Sequence, residues 1–165
     1  FVDASVDEIR RVHDLSGIDV AQVHGYTSVE QLRHFPVPAI LALKLKPGED
    51  HTEMRTLAER AAEGFAELVF IDGYHPTLAG GTGIRADWTV AEHFGRTLPL
   101  MLAGGLDPES VAEAIATVRP AAVDVSSGVE TDGAKDPEKI RAFIANARLG
   151  FAQSTSRGTS SQLVP

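Results

Sequence analysis

The sequence predicts an α/β protein built on a parallel sheet. Three observations predict it. Short apolar runs recur along the 165 residues. Stretches with helix-start signals lie between those runs. Two runs near the C-terminal end pass straight into turns of small residues, in "LMLAGGLDPESVAEAI" (100–115) and "AAVDVSSGVE" (121–130). Parallel strands need crossover connections, so strand and helix alternate. The length suits one domain with a real core. A hydrophobic content of 43% predicts folding rather than disorder.

In chain order, "FVD" (1–3) reads as the end of a strand. "DVAQV" (19–23), "AILALK" (39–44), "ELVFID" (67–72), "LPLMLA" (98–103) and "AAVDVS" (121–126) read as further strands. Several are apolar almost throughout, as in strands buried on both faces. Ser5 and Glu8 form a capping box ahead of Ile9, Val12 and Leu15. Thr27 and Glu30 form another, and Asp50 and Glu53 a looser third. Asp87 is expected to cap a short helix carrying Val90, Ala91 and Phe94. Asp107-Pro108 and Asp136-Pro137 each set an N-cap beside a proline at the first helical position. Val111, Ala114, Ile115 and Val118 then make one apolar face, and Ile140, Phe143, Ile144 and Ala147 another. Residues 150–165 are Ser/Thr-rich and without a period. They are expected to be a disordered tail or linker outside a domain spanning 1–149.

Such strands fit an open doubly wound sheet or part of a (β/α)8 barrel. The turn positions favour the barrel. Open sheets hold phosphate after the first strand, at a switch point, whereas barrels often hold it after the seventh and eighth. On that reading 98–103 and 121–126 are strands seven and eight, and 1–3 is the end of strand three. The chain would cover about six of the eight βα units, strands three to eight. Two units would then be missing before Phe1; opening on Phe rather than Met, the sequence is not expected to start where translation would.

The formal net charge is −8, and no basic stripe breaks it. This speaks against nucleic acid and anionic membranes as partners. No run approaches a membrane span. The absence of cysteine excludes disulfides and thiolate metal sites. No metal-ligand spacing and no Walker or dinucleotide fingerprint occurs. A phosphorylated metabolite stays open, because a nest of backbone N–H groups holds an anion without a basic side chain. Glycine also makes tight strand-to-helix turns for purely structural reasons. Two such turns in succession shift the balance toward the anion and leave the choice to the rest of the chain.

Barrel active sites lie at strand C-termini. Asp72 ends an apolar strand, where partial desolvation would suit a general acid; an N-cap or a loop hydrogen bonder is the competing role. Asp124 alternates with apolar neighbours and reads as a core carboxylate tied to backbone or lysine. His24 fits either a structural histidine or a base. Lys44 faces the same mouth or belongs to a solvated loop. The Gly-rich stretch 73–83 is a lid or a plain surface loop.

"QVHG" (22–25), "FID" (70–72), "GGTG" (80–83) followed by "ADW", "LAGGLDPESV" (102–111) and "VDVSSGVE…GAKDPEKI" (123–140) occur in this order. In this the chain resembles the phosphoribosylanthranilate isomerases over about Phe1 to Leu149. The resemblance implies a (β/α)8 barrel of tryptophan biosynthesis, cytoplasmic, working without metal or organic cofactor. It implies an Amadori rearrangement of N-(5′-phosphoribosyl)anthranilate to 1-(2-carboxyphenylamino)-1-deoxyribulose 5-phosphate. A general acid protonates the furanose oxygen and opens the ring to a Schiff base. A general base then takes the C2′ proton. By resemblance Asp72 is the acid. Gly104, Gly105, Ser127 and Gly128 grip the phosphate. His24 lies at the substrate mouth, and Gly80, Gly81, Thr82 and Gly83 form the mobile loop.

The family's base is a cysteine in a Lys-x-Cys-Gly block, and an arginine near the second strand holds the anthranilate carboxylate. This chain has no cysteine and begins after both blocks. The expectation is therefore an isomerase chain that is inactive alone, taking a small phosphosugar substrate. Self-association through open barrel edges, or fusion to another tryptophan-pathway domain, would accompany it. The alternatives are a non-catalytic barrel fragment acting in a split assembly, and another phosphosugar barrel enzyme.

Overall fold

The computed structural model describes residues 1–45, 48–73 and 88–159. The elements alternate as expected. They are α1 (Val6–Ser16), β1 (Ala21–His24), α2 (Val29–Leu32), β2 (Ala39–Leu45), α3 (Thr52–Ala62), β3 (Ala66–Gly73), α4 (Thr89–Gly95), β4 (Leu100–Ala103), α5 (Val111–Val118), β5 (Ala122–Val123), β6 (Glu130–Thr131), β7 (Ala134–Lys135) and α6 (Pro137–Thr159). A 3-10 turn, Ser127–Val129, sits between β5 and β6.

Strands β1 to β5 form one sheet in sequential order, parallel at every pairing. Segment 1–3, read as the end of a further strand, contributes a single parallel bridge, Val2 to His24. The His24 N–H donates to the Phe1 carbonyl and the Asp3 N–H to the His24 carbonyl, each at 3.0 Å. The run 121–126 pairs only over Ala122 and Val123.

Registry places alternate side chains on two different faces. Val23, Leu41, Val69, Ile71, Leu100 and Leu102 are buried against the helices, with Ile9, Leu32, Ala58, Phe94, Val111, Ile115 and Phe143 in the same cluster. Burying each large aliphatic side chain contributes about 1.5–3 kcal/mol. The opposite face carries the register row His24, Ala42, Phe70, Met101, Ala122. Here Phe70 and Met101 are only half-buried. Burial on both faces, read from the apolar strands, therefore holds fully for one face alone, because the helices cover only that side.

The caps account for most helix starts. Ser5 Oγ accepts the Glu8 N–H at 3.2 Å, and α1 ends at Gly17, whose N–H reaches the His13 carbonyl. Leu15, expected on the buried stripe of α1, is 76% exposed; the short helix buries only Ile9. The cap of α2 is Ser28 rather than Thr27, and its Oγ accepts the Glu30 N–H. Asp50 accepts both the N–H and the hydroxyl of Thr52. Asp107 and Ser110 bond reciprocally ahead of α5, backbone to side chain in both directions. Asp136 Oδ1 accepts the N–H groups of Glu138 and Lys139, with Pro137 at the first helical position. Asp87 lies outside the described residues.

Helix α6 continues past residue 149, the expected end of the domain. It runs unbroken through 150–159, where a disordered tail was expected. Gly150 is buried, and a Cβ there would meet Ala112 Cα at 3.1 Å; Phe151 packs on the core. The packing of α5 against α6 overrides the weak helical period of this stretch. Residues 160–165 lie outside the described residues. Among those described, no helix is long and apolar enough to cross a membrane.

Candidate active site

Strand register sets the height of each candidate at the C-terminal rim. Lys44, Asp72 and Ala103 are paired across β2, β3 and β4. Gly104 and Gly105 follow at once, with φ of 83° and 65°. A side chain is strained in that left-handed region, so glycine is needed to turn the chain here. Beyond β5, the Asp124 N–H still donates to the Leu102 carbonyl at 2.9 Å. This ladder bond brings the loop 124–128 beside the turn 104–106.

Gly128 explains how close the two loops come. A Cβ at this position would overlap the Leu106 carbonyl oxygen and lie 2.9 Å from its carbon and 3.1 Å from Asp107 Cα. Glycine at 128 therefore serves backbone-to-backbone packing between the β4 and β5 loops.

The result is a cleft of about 260 Å³ lined by Asp72, Gly104, Gly105, Asp124, Ser126, Ser127 and Gly128, with Phe70 at its base. Among the described residues, the N–H groups of Gly105, Ser127 and Gly128 donate to no protein oxygen. Both carboxylates are exposed. This changes two expectations. Asp72 stands exposed at the rim, on the half-covered face, rather than partly buried by its strand. Asp124 is not a core carboxylate; β5 ends at Val123, and the next residue opens into the cleft. Among the described residues no charged side chain is buried.

His24 lies elsewhere. It is half-buried at the end of β1, in register with Ala42 and two positions below Asp72 along the sheet. It lines a second hollow of about 330 Å³ with Tyr26, Glu53, Met54 and Leu57. Lys44 is placed by register alone. Gly80, Gly81, Thr82 and Gly83 lie outside the described residues. A larger hollow, about 660 Å³, is at the other end of the sheet, among Pro38, Ala66 and Pro99 at the strand starts. Its size does not make it the site; the open peptide groups and paired carboxylates are at the C-terminal rim.

The sequence reading missed the hairpin behind the cleft. β6 and β7 pair antiparallel around Asp132-Gly133, at φ of 53° and 77°. An Asp-Gly pair between short strands is the signal of a two-residue hairpin turn. Lys135 of that hairpin reaches back to Ser126.

The sequence model of N-(5′-phosphoribosyl)anthranilate (PRA) isomerase matches residues 1–146. An N-(5′-phosphoribosyl)anthranilate isomerase of Neisseria meningitidis is 43% identical over 149 residues, which cover 89% of this chain and 68% of the relative. A multifunctional tryptophan biosynthesis protein of Phycomyces blakesleeanus is 40% identical over 162 residues, covering 90% of this chain and 21% of that protein. Among solved structures, a phosphoribosylanthranilate isomerase in complex with reduced 1-(o-carboxyphenylamino)-1-deoxyribulose 5-phosphate superposes with a TM-score of 0.68 at 31% identity, over 90% of this chain and 69% of its own. The chain thus spans about two thirds of the isomerases it matches and about a fifth of the multifunctional protein. Together these matches establish that the chain belongs to the N-(5′-phosphoribosyl)anthranilate isomerase family.

Proposed function

We propose that the protein carrying this chain isomerises N-(5′-phosphoribosyl)anthranilate, with the cleft between β3, β4 and β5 as the seat of the chemistry. The observation that carries the reading is the meeting of Asp72 with two turns of open peptide N–H groups in one cleft. Peptide N–H groups suit a phosphate that must be bound in an acidic protein. A phosphate held at Gly105, Ser127 and Gly128 sets the ribose beside Asp72. Asp72 then donates a proton to the furanose ring oxygen as the C1′–O bond breaks, leaving the Schiff base.

Within this reading β1 to β5 take the last strand positions of an eight-stranded barrel, with segment 1–3 beside them as a sixth; the Val2–His24 bridge supports that placement. The multifunctional relative supports fusion to a further tryptophan-pathway domain; a cytoplasmic setting is part of the same proposal. Family membership lends no support to the expectation that these residues are inactive alone.

The test is Asp72→Asn in the full-length protein. It keeps the shape and removes the transferable proton. The expected loss in kcat is at least ~10²-fold, the lower range for general acid–base catalysis, with KM little changed. Turnover close to wild type would remove Asp72 from the mechanism.

A further inference from the structure

Lys135 does not line the cleft, yet its ammonium is bonded to a residue that does. Nζ donates to the Ser126 carbonyl at 2.9 Å, to Ser126 Oγ at 3.2 Å and to Glu130 Oε1 at 2.7 Å. The geometry points to Lys135 as a positioning residue of the phosphate subsite, aiming the Ser127 N–H into the cleft through the Ser126 peptide. This role rests on the reading of the cleft given above.

The argument begins with the peptide plane. All peptide bonds of the described chain are trans. In a trans peptide the carbonyl of one residue and the N–H of the next point in opposite directions. The Ser126 carbonyl is turned toward Lys135 and also accepts the Val129 N–H at 3.4 Å. The Ser127 N–H then faces away from Lys135, and Ser127 is one of the residues that line the cleft.

The cation also strengthens what it aims. A full positive charge on a carbonyl oxygen polarises that peptide, and its N–H becomes a better donor. Among the described residues, the charged ones that line the cleft are Asp72 and Asp124, both unfavourable for an anion. Lys135, itself paired with Glu130 at 2.7 Å, acts through the Ser126 peptide rather than as a free charge, and leaves the ligand's space open.

The anchoring of Lys135 is stiff for a half-exposed lysine. It sits on β7, paired to β6 by the Glu130–Lys135 and Thr131–Ala134 registers. The Asp136 N–H donates to the Val129 carbonyl at 2.8 Å, and Thr131 Oγ1 donates to Asp136 Oδ2 at 2.8 Å. Lys139 of α6 donates to the Glu130 carbonyl at 2.7 Å. The hairpin thus transmits the rigidity of α6 to the loop 126–128. An isolated pair on a flexible loop would not do this.

The experiment uses the full-length protein with Lys135→Met, which keeps length and removes all donors, and Lys135→Arg, which keeps a charged donor. Inorganic phosphate is the probe, measured by competition against substrate, together with KM and kcat. Lys135→Met is expected to weaken phosphate and raise KM about tenfold, the scale of one charged hydrogen bond. Its kcat should hold within about threefold, the signature of lost uniform binding. Lys135→Arg should recover most of the affinity, which a merely structural lesion would not. If Lys135→Met does not fold, Lys135→Gln decides instead; it removes the charge but keeps a polar side chain, and should weaken phosphate by a similar factor.

Phosphate affinity and KM unchanged in Lys135→Met, or in Lys135→Gln if that variant must stand in, overturn the role of Lys135. Gly105→Val separates the two readings. If it weakens phosphate while Lys135→Met does not, only the positioning role falls. If both are silent, the phosphate reading of the cleft falls with it.

Discussion

Two hollows open at the C-terminal end of the same sheet, and they are built in opposite ways. The cleft over β3, β4 and β5 is walled largely by backbone, with two carboxylates standing free at the rim. The hollow over β1 and β2 is walled by the side chains of His24, Tyr26, Glu53, Met54 and Leu57. Glycine is essential beside both, for different reasons. At 128 the missing Cβ admits a neighbouring backbone carbonyl, that of Leu106. At 25 it admits a side chain, the Asp3 carboxylate. A backbone-walled cleft is set by the fold and has few ways to yield. A side-chain-walled hollow can repack.

Gly128→Ala tests this most strongly. Its Cβ meets atoms that belong to the turn leading into α5, and that turn is itself fixed by the Asp107–Ser110 bonds. Overpacking against fixed backbone costs about 1–3 kcal/mol, and we expect the upper end, with phosphate affinity lost as the two loops separate. Chemical denaturation and phosphate competition on the same variant measure both. A variant as stable as wild type would show that the loops are not packed as described.

That contrast also explains what the sequence made legible. The strand-helix alternation was visible because buried aliphatic residues such as Leu41, Val69 and Leu102 must recur to fill one continuous core. The glycine turns were visible because a backbone site leaves its mark as missing side chains. Exposure was not visible. Asp72 and Asp124 follow equally apolar residues, and only the length of β5 and the uncovered face decide that both meet solvent. Helix α6 past 149 was hidden as well, since Ser and Thr lower helix propensity and the compensating contact, Gly150 on Ala112, is distant in sequence. The Lys135 bonds were hidden behind a hairpin whose only sign was Asp132-Gly133.

Gly25→Ala should cost less than Gly128→Ala. The residue sits at φ of 92°, so any side chain is strained there; the penalty is about 1–2 kcal/mol for a non-glycine residue in a left-handed conformation. The clash with Asp3 is a second part, and it is removable because a carboxylate can swing away. Asp3→Ala in the Gly25→Ala background should recover part of the stability. A double-mutant cycle on urea midpoints measures the coupling. Strict additivity would mean that Asp3 does not press on Gly25, and the two hollows would then be equally rigid.

The smallest expected effects concern pH, and the two regions should respond at opposite ends of the scale. Tyr26 donates its hydroxyl to the Ala4 carbonyl and pins segment 1–4 against β1. Burial, then the nearby Asp3 and Glu8 carboxylates, raise its pKa above the ordinary value. The neutral phenol is thus favoured in the fold. Its contribution is complete below about pH 10, the value in an unfolded chain, and is lost as pH rises through the raised folded value. Asp136 behaves in reverse. The Thr131 hydroxyl, then the N–H groups of Glu138 and Lys139, hold its carboxyl below the usual range, aided by the Lys139 charge. Its contribution is complete above about pH 4 and is lost as pH falls through the lowered folded value. Melting temperatures of wild type, Tyr26→Phe and Asp136→Asn across pH separate the two. The gap between wild type and Asp136→Asn should close toward acid, and the gap to Tyr26→Phe should close toward alkali. Gaps that stay level at both ends would mean that neither hydrogen-bonded group holds its region, and the hairpin behind the cleft would then depend on packing alone.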